Sequence, residues 1–168
     1  MLILFLYAFA SNVALAVVPH EPVVIWYGAQ VGTWTTAAVA TVGTLAASLV
    51  DHRVFVPVLD RLASSRPLTD GFVGKLRQGF DKAPFAIIAF SGITPLPAWP
   101  FKAMAFVGRY PLGRYLAAVA VGRFPRYLAL AWFGALVQVP TWLLVAIFSL
   151  LILVPLIRWL PWQRRNEN

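Results

Sequence analysis

VVPHEPVVIWYG, residues 17–28, sets a histidine, a glutamate and two prolines inside an apolar run that starts at Met1. Each proline removes a backbone donor and disturbs a helix. An ionised carboxylate at hydrocarbon depth is costly and is found facing a protein interior or a wet cavity. The stretch is therefore no simple membrane span. Its polar residues need a use or a protected place.

The rest of the chain makes this break matter. Of its 168 residues, 60% are hydrophobic and 12% charged, with a mean hydropathy of +0.75, whereas soluble domains carry about 25% charged residues. This composition is that of an integral membrane protein. There is no cysteine, which excludes a disulfide framework, a thiolate metal site and a thiol nucleophile. The net charge of +8 resides in a central segment and at the ends of apolar runs, as the positive-inside rule expects. Nothing resembles a groove-reading module, so nucleic acid is not an expected partner. Ala14-Leu15-Ala16 follows an apolar run as a signal-peptide cleavage site would. No basic residue precedes that run, however, and the chain stays apolar beyond it, which favours a membrane segment.

Read outward from the break, residues 2–18 are apolar, and Val23 to Ala29 resume the apolar character before Gly32. Seven residues rise only about 10 Å as a helix, far short of a hydrocarbon core of roughly 30 Å. The pair reads as a re-entrant hairpin with its tip at Pro19 to Pro22. Residues 33–50, rich in Ala, Gly, Ser and Thr, form a span whose backbone can approach its neighbours closely. Residues 51–83 are the one extended polar segment and are expected to be cytoplasmic. Phe72, Val73, Leu76 and Phe80 recur there at helical spacing opposite Lys75, Arg77 and Lys82, as in an amphipathic helix lying on the bilayer. A solvated linker fits the same residues.

The first pattern then returns: apolar Pro84 to Ile93, a break at TPLPAWP, a short apolar piece to Val107, a GRYPLGR turn, and a span from Tyr115 to about Val137. A hairpin plus a span thus occurs twice. Repeated interruption of apolar segments points to an inverted-repeat transporter whose broken tips meet near the midplane. A final span, residues 141–157, ends in Arg158, Trp159, Trp162, Arg164 and Arg165, an aromatic and basic anchor that is expected to lie on the cytoplasmic side. The expected fold is an all-α, multi-pass membrane domain over residues 1–168, with two re-entrant hairpins and a cytoplasmic C-terminus.

With these residues in view, the chain resembles the DedA family, whose core is the VTT or SNARE-associated domain. The resemblance is carried by PHEPVVIWYGA, by Gly43 through Asp51, by KLRQGFDKAPFAIIAF, by TPLPAWPF and by YLAAVAVGRFPRYLALAWFG, in that order, over roughly residues 2–137. In TPLPAWPF and in the Gly122-x-x-Pro125 spacing it is similar to the branch named for the yeast vacuolar-membrane proteins. The resemblance implies two facing re-entrant hairpins and the flipping or scrambling of lipids, including undecaprenyl phosphate in bacteria and phospholipids in eukaryotes. It departs from the bacterial type at Ala10 to Asn12, where an acidic residue is missing, and at Phe90 to Pro97, where two arginines are missing. Proton coupling, which the family links to those residues, is not carried over to this chain.

The residues themselves favour transport over catalysis. His20-Glu21 begins like a zinc-protease helix, yet the fifth position is Val24, so the H-E-x-x-H ligand pair is absent. With His20 and His52 as the two histidines, no metal site is expected, and no cofactor either. No G-x-S-x-G elbow or phosphate-cradling G-x-x-x-x-G-K occurs. Arg123 lies about 15 Å into its span by helical rise, with Arg126 one turn further on the same face. Two unpaired arginines at the bilayer centre would cost about 5 to 7 kcal/mol, so they should face inward. Pro125 cannot donate to the carbonyl of Val121, which marks Gly122 and Pro125 as a helix kink.

The expected headgroup site is therefore Arg123 and Arg126, with Glu21 neutralising them when empty and Lys102 guiding the anion. A fixed Glu21–arginine salt bridge holding the hairpins fits the same residues. The tips are expected at Pro19, His20, Pro22, Pro95, Pro97 and Pro100, with the His20 side chain making a helix-end hydrogen bond. Asp51 is expected at the span's cytoplasmic end, paired with Arg53, exposed to water, or part of the site. The expected partners are membrane lipids and the bilayer, with a homo-oligomer or an assembly partner compatible with the small-residue span. An ion- or proton-coupled transporter of a small solute is the alternative function. The bacterial inner membrane is the default location.

Overall fold

The computed structural model describes residues 1–13, 20–63, 79–94 and 99–137, with isolated positions from 140 to 153. Six helices account for most of these: α1 (Leu2–Asn12), α2 (Glu21–Val31), α3 (Thr33–Ala63), α4 (Pro84–Ile93), α5 (Trp99–Val107) and α6 (Leu112–Val137). No strand occurs among the described residues. Pro19, Pro95, Pro97, the segment bearing Phe72, Val73 and Leu76, and most of the final span with its tail lie outside them.

The order short helix, short helix, long helix occurs twice, and local sequence explains each boundary. Pro22 and Pro100 both occupy the second position of their helices, where a missing N–H leaves no hydrogen bond unmade. They start helices rather than form loops. α1 and α4 end alike, with Val13 and Thr94 extended at φ −69° and −81°. In both, the C-cap N–H still donates four residues back, to Phe9 O at 3.1 Å and to Phe90 O at 3.0 Å. The 11 residues of α1 and of α2 rise about 16 Å each, half of a hydrocarbon core.

α3 departs from the expected boundary at Val50. It continues through Asp51 and past Pro57 to Ala63, so the first part of the expected polar loop is helix. The 25-residue stretch Thr33–Pro57, with mean hydropathy 1.3, is the one described helix long and apolar enough to cross a membrane. α6 has 26 residues and keeps its helix through Pro125, but Arg114, Arg123 and Arg126 lower its hydropathy. Phe80, expected on a bilayer-facing stripe, is instead buried with Ile88, Phe106 and Tyr115.

The two long helices form the centre and run in opposite directions, since Tyr115 of α6 is hydrogen-bonded to Ser48 of α3 and Tyr127 to the earlier Thr44. One apolar core sits towards each end of this pair. The first joins Leu4 and Ala8 of α1, Val24 of α2, Ala37 and Ala40 of α3, and Tyr127 and Ala131 of α6. The second joins Ile88 of α4, Ala105 and Phe106 of α5, and Tyr115, Ala118 and Val119 of α6. Lipid tails are as apolar as leucine, so close packing rather than water exclusion stabilises such contacts. The small residues are what permit it.

Glycines set the closest approaches. Gly122 of α6 crosses α4 so tightly that a Cβ would collide with the Ala89 carbonyl, and Gly92 lies against the Gly122 backbone, 3.1 Å from where its own Cβ would stand. Gly134, further along α6, would collide in the same way with the Ile25 carbonyl of α2. Gly43 stands ten residues after Thr33 and Gly122 ten residues after Leu112. Gly43 meets α1 at Phe5 and Ala8 much as Gly122 meets α4.

Replacing Gly122 with Leu should overpack the α4–α6 crossing by about 1 to 3 kcal/mol or more and lower the unfolding temperature in detergent by several degrees. Gly113→Ala, in the first turn of α6 with open space around it, should leave that temperature unchanged or raise it. Equal behaviour of the two variants would contradict the assigned crossing.

Candidate functional site

The charged residues inside the helical bundle fall into two clusters built to one plan. In the first, the Arg126 guanidinium of α6 donates to Glu21 Oε1 at 2.6 Å and to the Thr94 carbonyl at 2.8 Å. In the second, the Lys102 ammonium of α5 donates to Asp51 Oδ2 of α3 and to the Asn12 carbonyl at 3.3 Å. Each cation thus takes one carboxylate and one carbonyl from the C-terminal end of a short helix. Helix C-termini carry partial negative charge and unsatisfied acceptors, so both contacts stabilise the cation.

Each cluster also joins the same three kinds of element. Thr94 and Arg126 belong to the second short–short–long unit and Glu21 to the first. Asn12 and Asp51 belong to the first unit and Lys102 to the second. Glu21 begins α2 and Lys102 stands three residues after the start of α5. Each pair therefore runs from the first turn of one unit's second short helix to the other unit's long helix. Asp51 is 1% exposed, Lys102 16%, Arg126 17% and Glu21 30%. Breaking a buried pair leaves an uncompensated charge, which costs far more than the intact pair contributes.

Arg123 stands between the clusters. Its guanidinium donates to the Tyr127 hydroxyl at 3.5 Å. It lies within electrostatic range of Glu21, His20, Lys102 and Tyr115. Among the described residues no carboxylate lies within ion-pair distance of it. The Tyr127 hydroxyl also meets the Thr44 hydroxyl at 2.8 Å, which ties the site to α3. The imidazole of His20 packs edge-on against the Tyr127 ring, with centroids 5.3 Å apart.

Several expected residues are brought together and others are placed differently. Glu21 reaches Arg126, while Arg123, one turn away on α6, has the hydroxyl of Tyr127. Lys102 does not stand free to guide a headgroup, because Asp51 and Asn12 hold it. Asp51 meets neither Arg53 nor water at a span's end; it is buried within α3. His20 begins α2 as its cap residue but makes no side-chain hydrogen bond to the helix, and its buried Nε2 has no partner. Burial against Tyr127, rather than a helix-end contact, fixes the ring. Gly122 acts as the crossing point with α4.

Tyr127, Thr44, Asn12 and Thr94 were not singled out by the sequence. A tyrosine four residues after Arg123 was legible as a neighbour on one helix face. The carbonyls of Asn12 and Thr94 carry no side-chain signal. The described residues hold no cluster of three or more His, Asp or Glu that could bind a metal.

An all-helical bundle with ion pairs inside it, and one described helix long and apolar enough to cross a membrane, is compatible with an all-α membrane protein. Compared with known families, it matches the VTT domain over residues 18–136, and the chain belongs to that family, a membrane protein of the DedA type. No curated protein and no solved structure matches it.

If the Glu21–Arg126 pair is a close ion pair in a partly desolvated site, Glu21→Gln and Arg126→Gln should each lower stability in detergent. The double variant should then lose less than their sum, with a coupling of about 0.5 to 3 kcal/mol in the mutant cycle. Additive losses would mean that the two side chains do not interact.

Proposed function

We propose that the protein moves phosphate-bearing lipids, such as a polyprenyl phosphate or a phospholipid, between membrane leaflets without a cofactor. In this reading, α1–α2 and α4–α5 are re-entrant hairpins of an inverted repeat, and their tips shelter an anion site near the midplane. The half-membrane length of α1 and α2, the opposite directions of α3 and α6, and the matched ends of α1 and α4 support the hairpins. VTT-family membership supports transport over catalysis.

The observation that carries the proposal is Arg123. An insertion scale assigns about 2.5 to 3.5 kcal/mol to one arginine at the bilayer centre, and its nearby cations already hold a carboxylate each. A planar guanidinium with spare donors, facing the interior, suits a phosphate bidentately. Arg126 supplies a second guanidinium one turn away once Glu21 releases it, and Lys102 a third positive charge. The bacterial inner membrane, with the C-terminus inside, is the location this reading favours.

A second reading, an ion- or proton-coupled transporter of a small solute through the same cavity, draws on His20 beside Glu21, a buried imidazole with an unpartnered nitrogen. It expects activity that collapses with the proton gradient and persists without lipid exchange.

In liposomes, Arg123→Ala should reduce phosphate-lipid movement by at least about tenfold, which corresponds to 1.4 kcal/mol, while Arg123→Lys should retain part of it. Arg123→Ala moving lipid at the unmutated rate would remove Arg123 from the mechanism. Dithionite quenching of fluorescent lipids, with and without a pH gradient, reads both outcomes.

A further inference from the structure

The two ion-pair clusters share a construction that a single headgroup site does not require. In each, a cation is held by a carboxylate from the opposite unit and by the carbonyl end of a short helix. In both long helices the paired charge lies on the C-terminal side of the crossing glycine, Asp51 after Gly43 and Arg126 after Gly122. Asp51 lies six residues before Pro57, near the end of the apolar stretch of α3, and Arg126 lies in the C-terminal half of α6. Because α3 and α6 run in opposite directions, one cluster is nearer one membrane face and the second is nearer the other. Arg123 lies between them, in electrostatic range of Glu21 in one cluster and Lys102 in the other.

We infer that Lys102 and Arg126 are two equivalent anion stations, one towards each face, and that each is closed by its own carboxylate while the phosphate occupies the other. This rests on the transport reading above and deepens it. A phosphate arriving at Lys102 competes with Asp51 for the ammonium and frees the Asn12 end of α1. It then passes to Arg123 and on to Arg126, where it competes with Glu21 and frees the Thr94 end of α4. When one station opens, the intact ion pair at the other still ties the two units together, which keeps the path closed on that side. The ligand is a phosphate monoester or diester, a small anion whose charged oxygens the three cations meet in turn. No bond is made or broken. The exchange is of counter-ions, and the carboxylate displaced at an open station stays without its cation until the phosphate moves on, which drives the pair to re-form.

The natural absence of cysteine makes the test direct. Ser11→Cys and Ser91→Cys, both at buried positions beside the two short-helix ends, are labelled with an impermeant maleimide in right-side-out and inverted membrane vesicles. Asp51→Asn or Lys102→Gln should raise labelling at Ser11→Cys about tenfold or more from the face where α3 ends, since removing one charge of a buried pair shifts such an equilibrium by over a decade. Glu21→Gln or Arg126→Gln should do the same at Ser91→Cys from the opposite face. Two variants per pair keep the test open if one fails to accumulate. In maltoside micelles, added phosphatidylglycerol or inorganic phosphate should slow labelling of the Asp51→Asn and Glu21→Gln variants, which keep the cation of the opened station, and leave the Lys102→Gln and Arg126→Gln variants unaffected. Slowing by the lipid alone assigns the stations to a headgroup, and slowing by both assigns them to the phosphate itself.

Opening to the same face in both pairs, labelling unchanged from the parent, or slowing by neither anion would overturn the inference. Lipid movement by the parent protein in the liposome assay is read separately. Transport without sided opening sinks the stations alone, whereas sided opening without transport sinks the transport reading.

Discussion

Four charged side chains inside an apolar bundle are the constraint on which the rest of this structure depends. Arg126, Glu21, Lys102 and Asp51 could not enter a hydrocarbon layer singly, and they sit on four different helices. Pairing them therefore fixes where α2, α3, α5 and α6 can lie relative to one another. Each cation also reaches the carbonyl end of α1 or α4, which brings all six helices under the same condition. The pairs are crossed between the two units, so neither unit satisfies its own charges. That arrangement makes the halves interdependent.

The apolar packing serves this electrostatic frame. Gly122 and Gly134 let α6 touch the backbones of α4 and α2 on two of its sides, and Gly43 lets α3 touch α1. These crossings bring the ends of the short helices to the middle of the long ones, where Thr94 and Asn12 can meet Arg126 and Lys102. Tyr127 connects the frame to the site, since its hydroxyl bonds Thr44 and Arg123 and its ring stands against His20. Rigid aromatic and small residues thus position long, flexible cations.

Much of this was legible in the residues, for reasons that also explain what was not. Proline punctuation marked Glu21-Pro22 and Trp99-Pro100, and the apolar pieces Pro84 to Ile93 and up to Val107 coincide with α4 and α5, because a missing N–H leaves no hydrogen bond unmade in the first turn of a helix. The inward placement of Arg123 and Arg126 followed from the cost of exposing them to lipid. The boundary at Val50 did not follow, because charge at Asp51 signals the end of a span unless a partner elsewhere neutralises it. That partner, Lys102, is 51 residues away. Pairing by position in space leaves no periodicity in sequence, and for the same reason Lys102 reads as a free cation beside a loop. His20 misled in another way, since its side chain can cap a helix but here packs on a ring contributed by α6.

The central claim is that the ends of α1 and α4 lie at bilayer depth and face the two cations that pair the units, Lys102 and Arg126. The most direct measurement places a nitroxide at Val13→Cys and another at Thr94→Cys, the two C-cap positions, and reads depth in lipid bilayers from collision rates with oxygen and with a water-soluble nickel chelate. The account expects both labels in the hydrocarbon region. A label at headgroup depth, quenched by the chelate as freely as one on a surface loop, would contradict it.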